Sequence, residues 1–346
     1  MSEGVRRWCG DHAGDERELR VAVVELLRTQ VPFSFHVSLL VDPETEVGTA
    51  PLATVPEPLV AALPAVIRAR YASALNRWDT MPTSVESLDR ATGGRREQSG
   101  FHREVLGPSG VGDVASICFR DPHGCWGFLD LWRAADDPSF SDRELVGLAE
   151  DADSITLALR RCQARAFHDA PVIPVAPGPA VMFLGPDLRV IGQTPDTDEH
   201  LRALLPTEAD RRPVPAGAYN VAAALVAREA GRFDHPPVAR VRPAHATWLT
   251  FAASRISTDR PRDEQDIAVT VTASSPGERL QLYVRAHGLS PREIEVVDRL
   301  AGGADTRAIA EALFVSEHTV QDHLKSVFDK TGARNRRTLL ARINGR

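Results

Sequence analysis

The sequence predicts a multidomain α+β chain in which two antiparallel-sheet units precede an all-α, four-helix C-terminal domain. Three observations carry that prediction. Residues 114–119 and 125–132 are β-rich runs flanking Asp121-Pro122-His123-Gly124, which together read as a hairpin. A second series of strands and helices begins after 171–179, where four of nine residues are proline. From residue 289 onward apolar positions recur at helical spacing, punctuated by capping residues. A length of 346 residues accommodates two or three domains, and 43% apolar with 25% charged content suits a globular chain.

Residues 15–30 have the spacing of an amphipathic helix, and 33–41 form an apolar strand ended by a turn at Asp42-Pro43. Another helix is predicted over 57–74. After the hairpin, Ser141-Asp142-Arg143-Glu144 sets a hydroxyl and a carboxylate three residues apart, a capping box that opens a long helix. Along it Leu145, Leu148, Ala152, Ile155, Leu159, Cys162 and Ala166 repeat at spacings of three, four and seven. Such a stripe either packs on its own sheet or forms a coiled-coil seam with another helix. Beyond 171–179, strands are predicted at 180–184 and 188–191, helices at 196–205 and 216–230, and strands at 238–241, 247–253 and 267–272. Ser274-Ser275-Pro276-Gly277 marks a further boundary. Leu280, Tyr283, Val284 and His287 then share one face of a short helix leading into Leu289.

In the C-terminal segment, Ser290-Pro291-Arg292-Glu293 combines a capping hydroxyl, a proline at the first helical position and a reciprocating glutamate. The helix it starts buries Ile294, Val297 and Leu300 and stops at Gly302-Gly303. Asp305 or Thr306 caps a second helix with Ile309, Ala310 and Leu313 inward. Phe314-Val315 is the turn, and Ser316 caps a third helix. Val320, Leu324, Val327 and Phe328 of that helix cluster on one side, at 100° per residue. His318, Gln321, Asp322, Lys325 and Asp329 lie on the other, with Thr319 and Ser326 on a flank. Two short helices across a tight turn, the second with an outward polar face, is the layout of a DNA-reading helix-turn-helix. Gln pairs with adenine, Lys with guanine acceptors, and Asp accepts from the cytosine amino group, so Gln321, Lys325 and Asp322 have the chemistry to read base edges. Hydroxyls at Thr319 and Ser326 suit phosphate oxygens.

Charge agrees with that layout. The chain's two lysines, Lys325 and Lys330, both fall in the third helix. From residue 289 onward ten Lys and Arg face eight Asp and Glu, a net of +2; the chain totals −6, which leaves −8 on residues 1–288. Beyond residue 320, seven cations face two anions, an electrostatic footprint for a phosphate backbone. Lys330, near the helix end, either meets phosphate or neutralises the helix C-terminus.

These residues carry a family resemblance. Leu289-Ser-Pro-Arg-Glu293, then Ile309-Ala310-x-x-Leu313-x-Val315-Ser316-x-x-Thr319-Val320-x-x-His323-Leu324-Lys325, then Lys330-x-Gly332-x-Arg334-x-Arg336, resembles the LuxR-type DNA-binding domain of bacterial transcription regulators. The resemblance covers residues 289–346. It implies that Gln321, Asp322 and Lys325 read the major groove, although Asp322 departs from the basic or apolar residue usual there. It also implies phosphate contact or helix packing for Thr319, Lys330 and Arg336, and a dimerising fourth helix near Asn335 that carries Leu339, Leu340 and Ile343. Upstream, residues 1–168 resemble a GAF-type sensory domain and 169–275 a PAS-type domain, with 276–288 as a linker helix. A bacterial one-component sensor-regulator is the implied protein: a homodimer on operator DNA, with RNA polymerase and an unknown small-molecule effector as further partners.

Other chemistry finds little support. Cys118, His123 and Cys125 converge on one predicted turn, but structural zinc calls for four ligands and tight CxxC pairs, so no metal is expected. Trp126, Phe128 and Trp132 alternate onto one strand face, which is either pocket lining or, more commonly, core. His36, centred in an apolar strand, reads as a core histidine before a ligand. GxxxxGK[ST], GxSxG and HExxH are missing, and no receiver-type phosphoacceptor set stands out, so neither an enzyme nor a cofactor is expected. The longest apolar run is too short to span a bilayer, the first residues lack a signal-peptide core, and the cysteines show no paired spacing, so a cytoplasmic protein without membrane contact is expected. Two alternatives stay open: a ligand-binding signalling protein whose C-terminal helices contact protein, and an enzyme with a regulatory tail.

Overall fold

In a computed structural model of the chain, residues 3–12, 14–168, 180–204, 213–242 and 247–345 are described. The proline-rich stretch 171–179 lies outside them. The anticipated hairpin is present as β4 (Val111–Asp121) and β5 (Gly124–Ala134). With β1 (Phe35–Val41), β2 (Gly48–Thr54) and β3 (Val85–Ser87) it makes an antiparallel sheet in the order β2-β1-β5-β4-β3. A second antiparallel sheet is built from β6 (Ala180–Leu184), β7 (Val190–Gln193), β8 (Val238–Val241), β9 (Leu249–Arg255) and β10 (Ile267–Ala273). Its order, β7-β6-β10-β9-β8, is the same pattern: in each sheet the last strand inserts between the first and the fourth. Two antiparallel-sheet units followed by a helical C-terminal region is the fold class expected.

Helices α1 (Glu3–Asp11) and α2 (Glu16–Arg28) precede the first sheet. The helix expected over 57–74 is two, α3 (Glu57–Ala61) and α4 (Leu63–Ala72). Pro64 explains the break, since it cannot donate back to Val60 and its ring crowds the preceding turn. Strands β2 and β3 and helices α1 and α5 (Leu88–Thr92) carried no usable signal. β2 is an edge strand interrupted by Pro51, and β3 spans three residues, too few for alternation to show.

The long helix α6 (Asp142–Arg165) starts at the predicted capping box: Ser141 Oγ accepts from Glu144 N, and the Glu144 carboxylate accepts from Ser141 N at 2.8 Å. Its stripe Leu145, Leu148, Ala152, Ile155, Leu159, Cys162 is buried against β4, α1 and α2. The seam is therefore covered within the chain and is not a coiled coil. The aromatic face splits as well. Phe119 pairs with Gly127 but Arg120 pairs with Cys125, so Trp126 is the extra residue of a bulge and turns to the α6 side. There its indole donates to Asp121 Oδ1 at 2.9 Å, while Arg160 of α6 holds Asp121 Oδ2 at 2.6 Å. Phe128 and Trp132 remain in the core on the opposite side.

Helix α7 (Thr197–Leu204) follows β7, and helix α8 (Ala216–Glu229) packs on the second sheet and also on β2 and α4 of the first. One apolar core consequently runs from Tyr71, Trp78 and Phe128 into Ala222, Phe251 and Val269. A buried ion pair crosses the same boundary. Asp42 in the β1–β2 turn accepts from Arg240 of β8 at Nε and Nη2, both 2.7 Å, and from its backbone N at 2.8 Å. Asp42 is 1% and Arg240 5% exposed.

α9 (Pro276–Ala286) opens on its own capping box at Ser275 and Glu278. The expected linker helix is no free connector. Leu280, Leu282, Tyr283 and Val284 are all buried, and the helix lies between α6 and a helix of the C-terminal bundle. Phe167, just past α6, stacks on Trp248 at 4.9 Å and meets Tyr283 edge-on at 5.2 Å. Leu282 falls off the sequence stripe, so this burial exceeds what a one-faced pattern signals.

Candidate nucleic-acid interface

The C-terminal bundle comprises α10 (Pro291–Ala301), α11 (Thr306–Leu313), α12 (Glu317–Thr331) and α13 (Arg336–Asn344). Its caps are those the sequence encodes. Ser290 and Glu293 reciprocate at α10, Asp305 Oδ1 accepts from Ala308 N at 2.8 Å, and Ser316 Oγ accepts from Thr319 N at 3.1 Å. Asn335 caps α13 by accepting from Thr338 N at 2.9 Å. Val296, Val297, Leu300, Ile309, Val320, Leu324, Val327, Leu339 and Ile343 form the core between them. Thr331, with its hydroxyl on Val327 O, takes the innermost place at the end of α12, and Phe328 is half-buried.

The expected site residues divide into two groups. Gln321, Asp322 and Lys325 stand exposed on the outer face of α12 beside His318. His318 Nε2 approaches Asp322 Oδ2 at 3.7 Å, so the Asp322 carboxylate already has a neighbour, whereas no ion pair engages Lys325 among the described residues. The remaining four act inside the bundle. Thr319 Oγ1 is 2.9 Å from the capping Ser316 hydroxyl. Ser326 Oγ donates to Glu293 Oε1 and Lys330 Nζ to Glu293 Oε2, each at 2.7 Å. Arg336 Nη2 bonds the Thr306 hydroxyl, tying α13 to the start of α11.

Glu293 is the residue whose full role the sequence did not disclose. It was legible as a cap, yet its carboxylate, 4% exposed, also joins α10 to α12. Burial on its own would raise its pKa, but hydrogen bonds from Lys330, Ser326 and Ser290 hold it down to about 2. The available signal was Ser326 and Lys330, four residues apart and hence on one side of a helix. Arginines secure other helix ends: Arg292 Nη2 donates to Leu313 O at 2.6 Å and Arg342 Nη1 to Thr331 O at 2.7 Å.

Elsewhere, Cys118 Sγ and Cys125 Sγ lie 3.7 Å apart and buried, while His123 packs away from them against Gly288. No group of three or more His, Cys, Asp or Glu that could hold a metal occurs among the described residues. His36 is buried, with Nδ1 lacking a hydrogen-bond partner, and burial pushes its pKa down. An internal polar cluster faces α4: Ser116 Oγ donates to Asp130 Oδ1 at 2.5 Å, and Arg70 Nη2 is 3.4 Å from Asp130 Oδ2. Burial raises the Asp130 carboxyl against the opposing pull of Arg70 and Ser116. The Arg70 guanidinium lies over the Phe128 ring at 4.7 Å, and its Nε has no partner.

Capped helices across a tight turn, with a polar outer face on the second, define a helix-turn-helix domain. Residues 287–342 match the family described as GerE, bacterial regulatory proteins, luxR family. The chain thus carries a luxR-family domain at its C-terminal end. Over 48 residues it is 44% identical to the CsgBAC operon transcriptional regulatory protein of Escherichia coli, covering 14% of this chain and 22% of that one. Over 57 residues it is 41% identical to the probable HTH-type transcriptional regulator GfsR of Streptomyces halstedii, covering 16% and 24%. The chain thus spans less than a quarter of the curated relatives it matches. Among solved structures, Escherichia coli SdiA overlaps 99% of this chain and 97% of its own at 14% identity, with a TM-score of 0.37. No helix among the described residues is long and apolar enough to cross a membrane.

Proposed function

We propose that this chain is a sequence-specific DNA-binding transcription regulator that reads its operator with α12. The observation that carries the reading is the exposed row Gln321, Asp322 and Lys325 on the second helix of a luxR-family helix-turn-helix. Lys325 is the leading base reader, since its ammonium is unpaired among the described residues, and Asp322 contributes in competition with His318. Thr319, Ser326, Lys330 and Arg336 support by fixing the helix, with the exposed part of Lys330 available to phosphate. Two copies bind a pseudo-palindrome, their recognition helices separated by roughly 34–36 Å. Residues 1–168 and 169–275 are the sensory units, and 276–288 is the helix that joins them to 289–346. α9, packed on both α6 and α13, is the route by which a change upstream reaches the DNA-binding unit.

Selection from a pool of random duplexes, followed by binding assays at several salt concentrations, tests this. The wild-type chain is expected to enrich a motif, and Lys325→Glu to lose affinity by about ten-fold or more and flatten the salt slope. Failure to enrich any motif, or unchanged binding by Lys325→Glu, refutes it and favours a protein-contacting C-terminal unit.

A further inference from the structure

Phe314 forms the turn between α11 and α12, and at 96% exposure it is the most exposed large apolar side chain among the described residues. Its backbone is left-handed, with φ 57° and ψ 44°. The helix end imposes that conformation: Val315 N donates to Ala310 O at 3.1 Å and Phe314 N to Glu311 O at 3.4 Å, the wrap that closes α11 and aims the chain into α12. Helices α5, α12 and α13 end in the same left-handed conformation, and each places glycine there: Gly93, Gly332 and Gly345. A bulky aromatic in this region is strained. Local folding would choose glycine, and the core does not use the ring. Phenylalanine stands here although neither the local backbone nor the core calls for it.

The ring's position says what it meets. It stands two residues before the Ser316 cap, at the N-terminal end of α12, which is the end a recognition helix presents to base edges. The exposed residues His318, Gln321, Asp322 and Lys325 follow directly along the helix. Lys325 in that exposed row has no ion-pair partner among the described residues, so the outer face of α12 carries a cation available to a phosphate backbone. We propose that Phe314 contacts the operator duplex itself, its ring lying on a thymine C5-methyl and the adjoining deoxyribose at the edge of the groove that α12 enters. Apolar contact with the thymine methyl is a base readout open to phenylalanine and closed to the polar row beside it. The inference rests on the proposed DNA reading by α12.

The test uses the full chain and the duplexes that wild type enriches from a random pool. Phe314→Gly and Phe314→Asn are expected to melt no lower than wild type, because both residues accept the left-handed backbone. Both should bind the enriched duplex about ten-fold more weakly. Replacing each thymine in turn by deoxyuridine, which removes only the methyl, should weaken wild type at one position and leave Phe314→Gly indifferent there. Binding by Phe314→Gly within two-fold of wild type overturns the proposal, even if it loses transcriptional output, since the ring would then face a protein. A lowered melting midpoint in both variants also overturns it, placing Phe314 in the fold. If wild type enriches no duplex, the reading of α12 as a DNA-binding helix fails and this proposal falls with it.

Discussion

Replacing Glu293 by glutamine probes the junction that orients α12. The carboxylate is buried and accepts from Ser290 N at 2.6 Å, Ser326 Oγ at 2.7 Å and Lys330 Nζ at 2.7 Å. Its pKa of about 2, against an ordinary value of 4.5, means that folding favours the ionised form. At 1.36 kcal/mol per unit, that preference has an upper value of about 3 kcal/mol. Glutamine keeps one acceptor oxygen but turns an NH2 towards the hydroxyl or the ammonium, so a loss of about 2 kcal/mol at neutral pH is expected. The sign with pH follows. A depressed carboxylate pKa stabilises the fold fully above about 4.5, and the contribution fades as pH falls towards 2. None of the five tryptophans lies beyond residue 248, so amide hydrogen exchange of α10 and α12 is the suitable assay. Wild type should lose protection at Val297 and Val327 between pH 5 and 3, and Glu293→Gln should start lower and lose less. Equal protection at pH 7, or parallel pH profiles, would refute the junction.

Two further outcomes follow from buried charge. Asp42→Asn removes the buried counter-charge of Arg240 and leaves it only the part-exposed Glu44 carboxylate at 2.7 Å, so it should cost about 3 kcal/mol in urea unfolding. Asp42→Leu with Arg240→Met should recover part of that loss. Recovery stays incomplete because Asp42 Oδ1 also accepts from Glu44 N and Thr45 N in its turn; additive single-variant losses would dismiss the pair as a coupled unit. His287, in the α9–α10 connection, is held neutral with a pKa of about 3 by burial first and then by His168, Arg342 and Arg160. The unfolded chain takes up that proton near pH 6.5, so stability should fall as pH drops from 6.5 towards 3, at up to about 1.4 kcal/mol per pH unit. His287→Gln should flatten this limb of the urea-midpoint profile, and an unaltered slope would assign the effect to other groups.

Local chemistry was the legible part. Capping at Ser141, Ser290 and Ser316, the hairpin turn at 121–124 and the strand at 180–184 could be read because each is set by residues within a few positions of one another. The outer row of α12 was legible for the same reason, as periodicity alone fixes which residues oppose the buried stripe. Less came through where an element depends on neighbours distant in sequence. β2 is held on β1 despite Pro51, and Trp126 reverses face because of a bulge against Phe119 and Arg120.

By itself, then, the sequence determined the fold class, the helix-turn-helix and its family resemblance, and the polar face that points away from the bundle. Only the tertiary structure decided how the groups on that helix are spent. The sequence put Lys325 on the outer face and Lys330 near the helix end, but it named no partner for either. Packing α12 against α10 brings Glu293 within 2.7 Å of Lys330 and leaves Lys325 in solvent. It likewise decided that the α6 stripe is core, that α9 is embedded, and that Asp42 and Arg240 join the two sheets across 198 residues of chain. The reason is physical. Capping and periodicity act over a few residues, whereas burial and charge pairing depend on which distant surfaces meet.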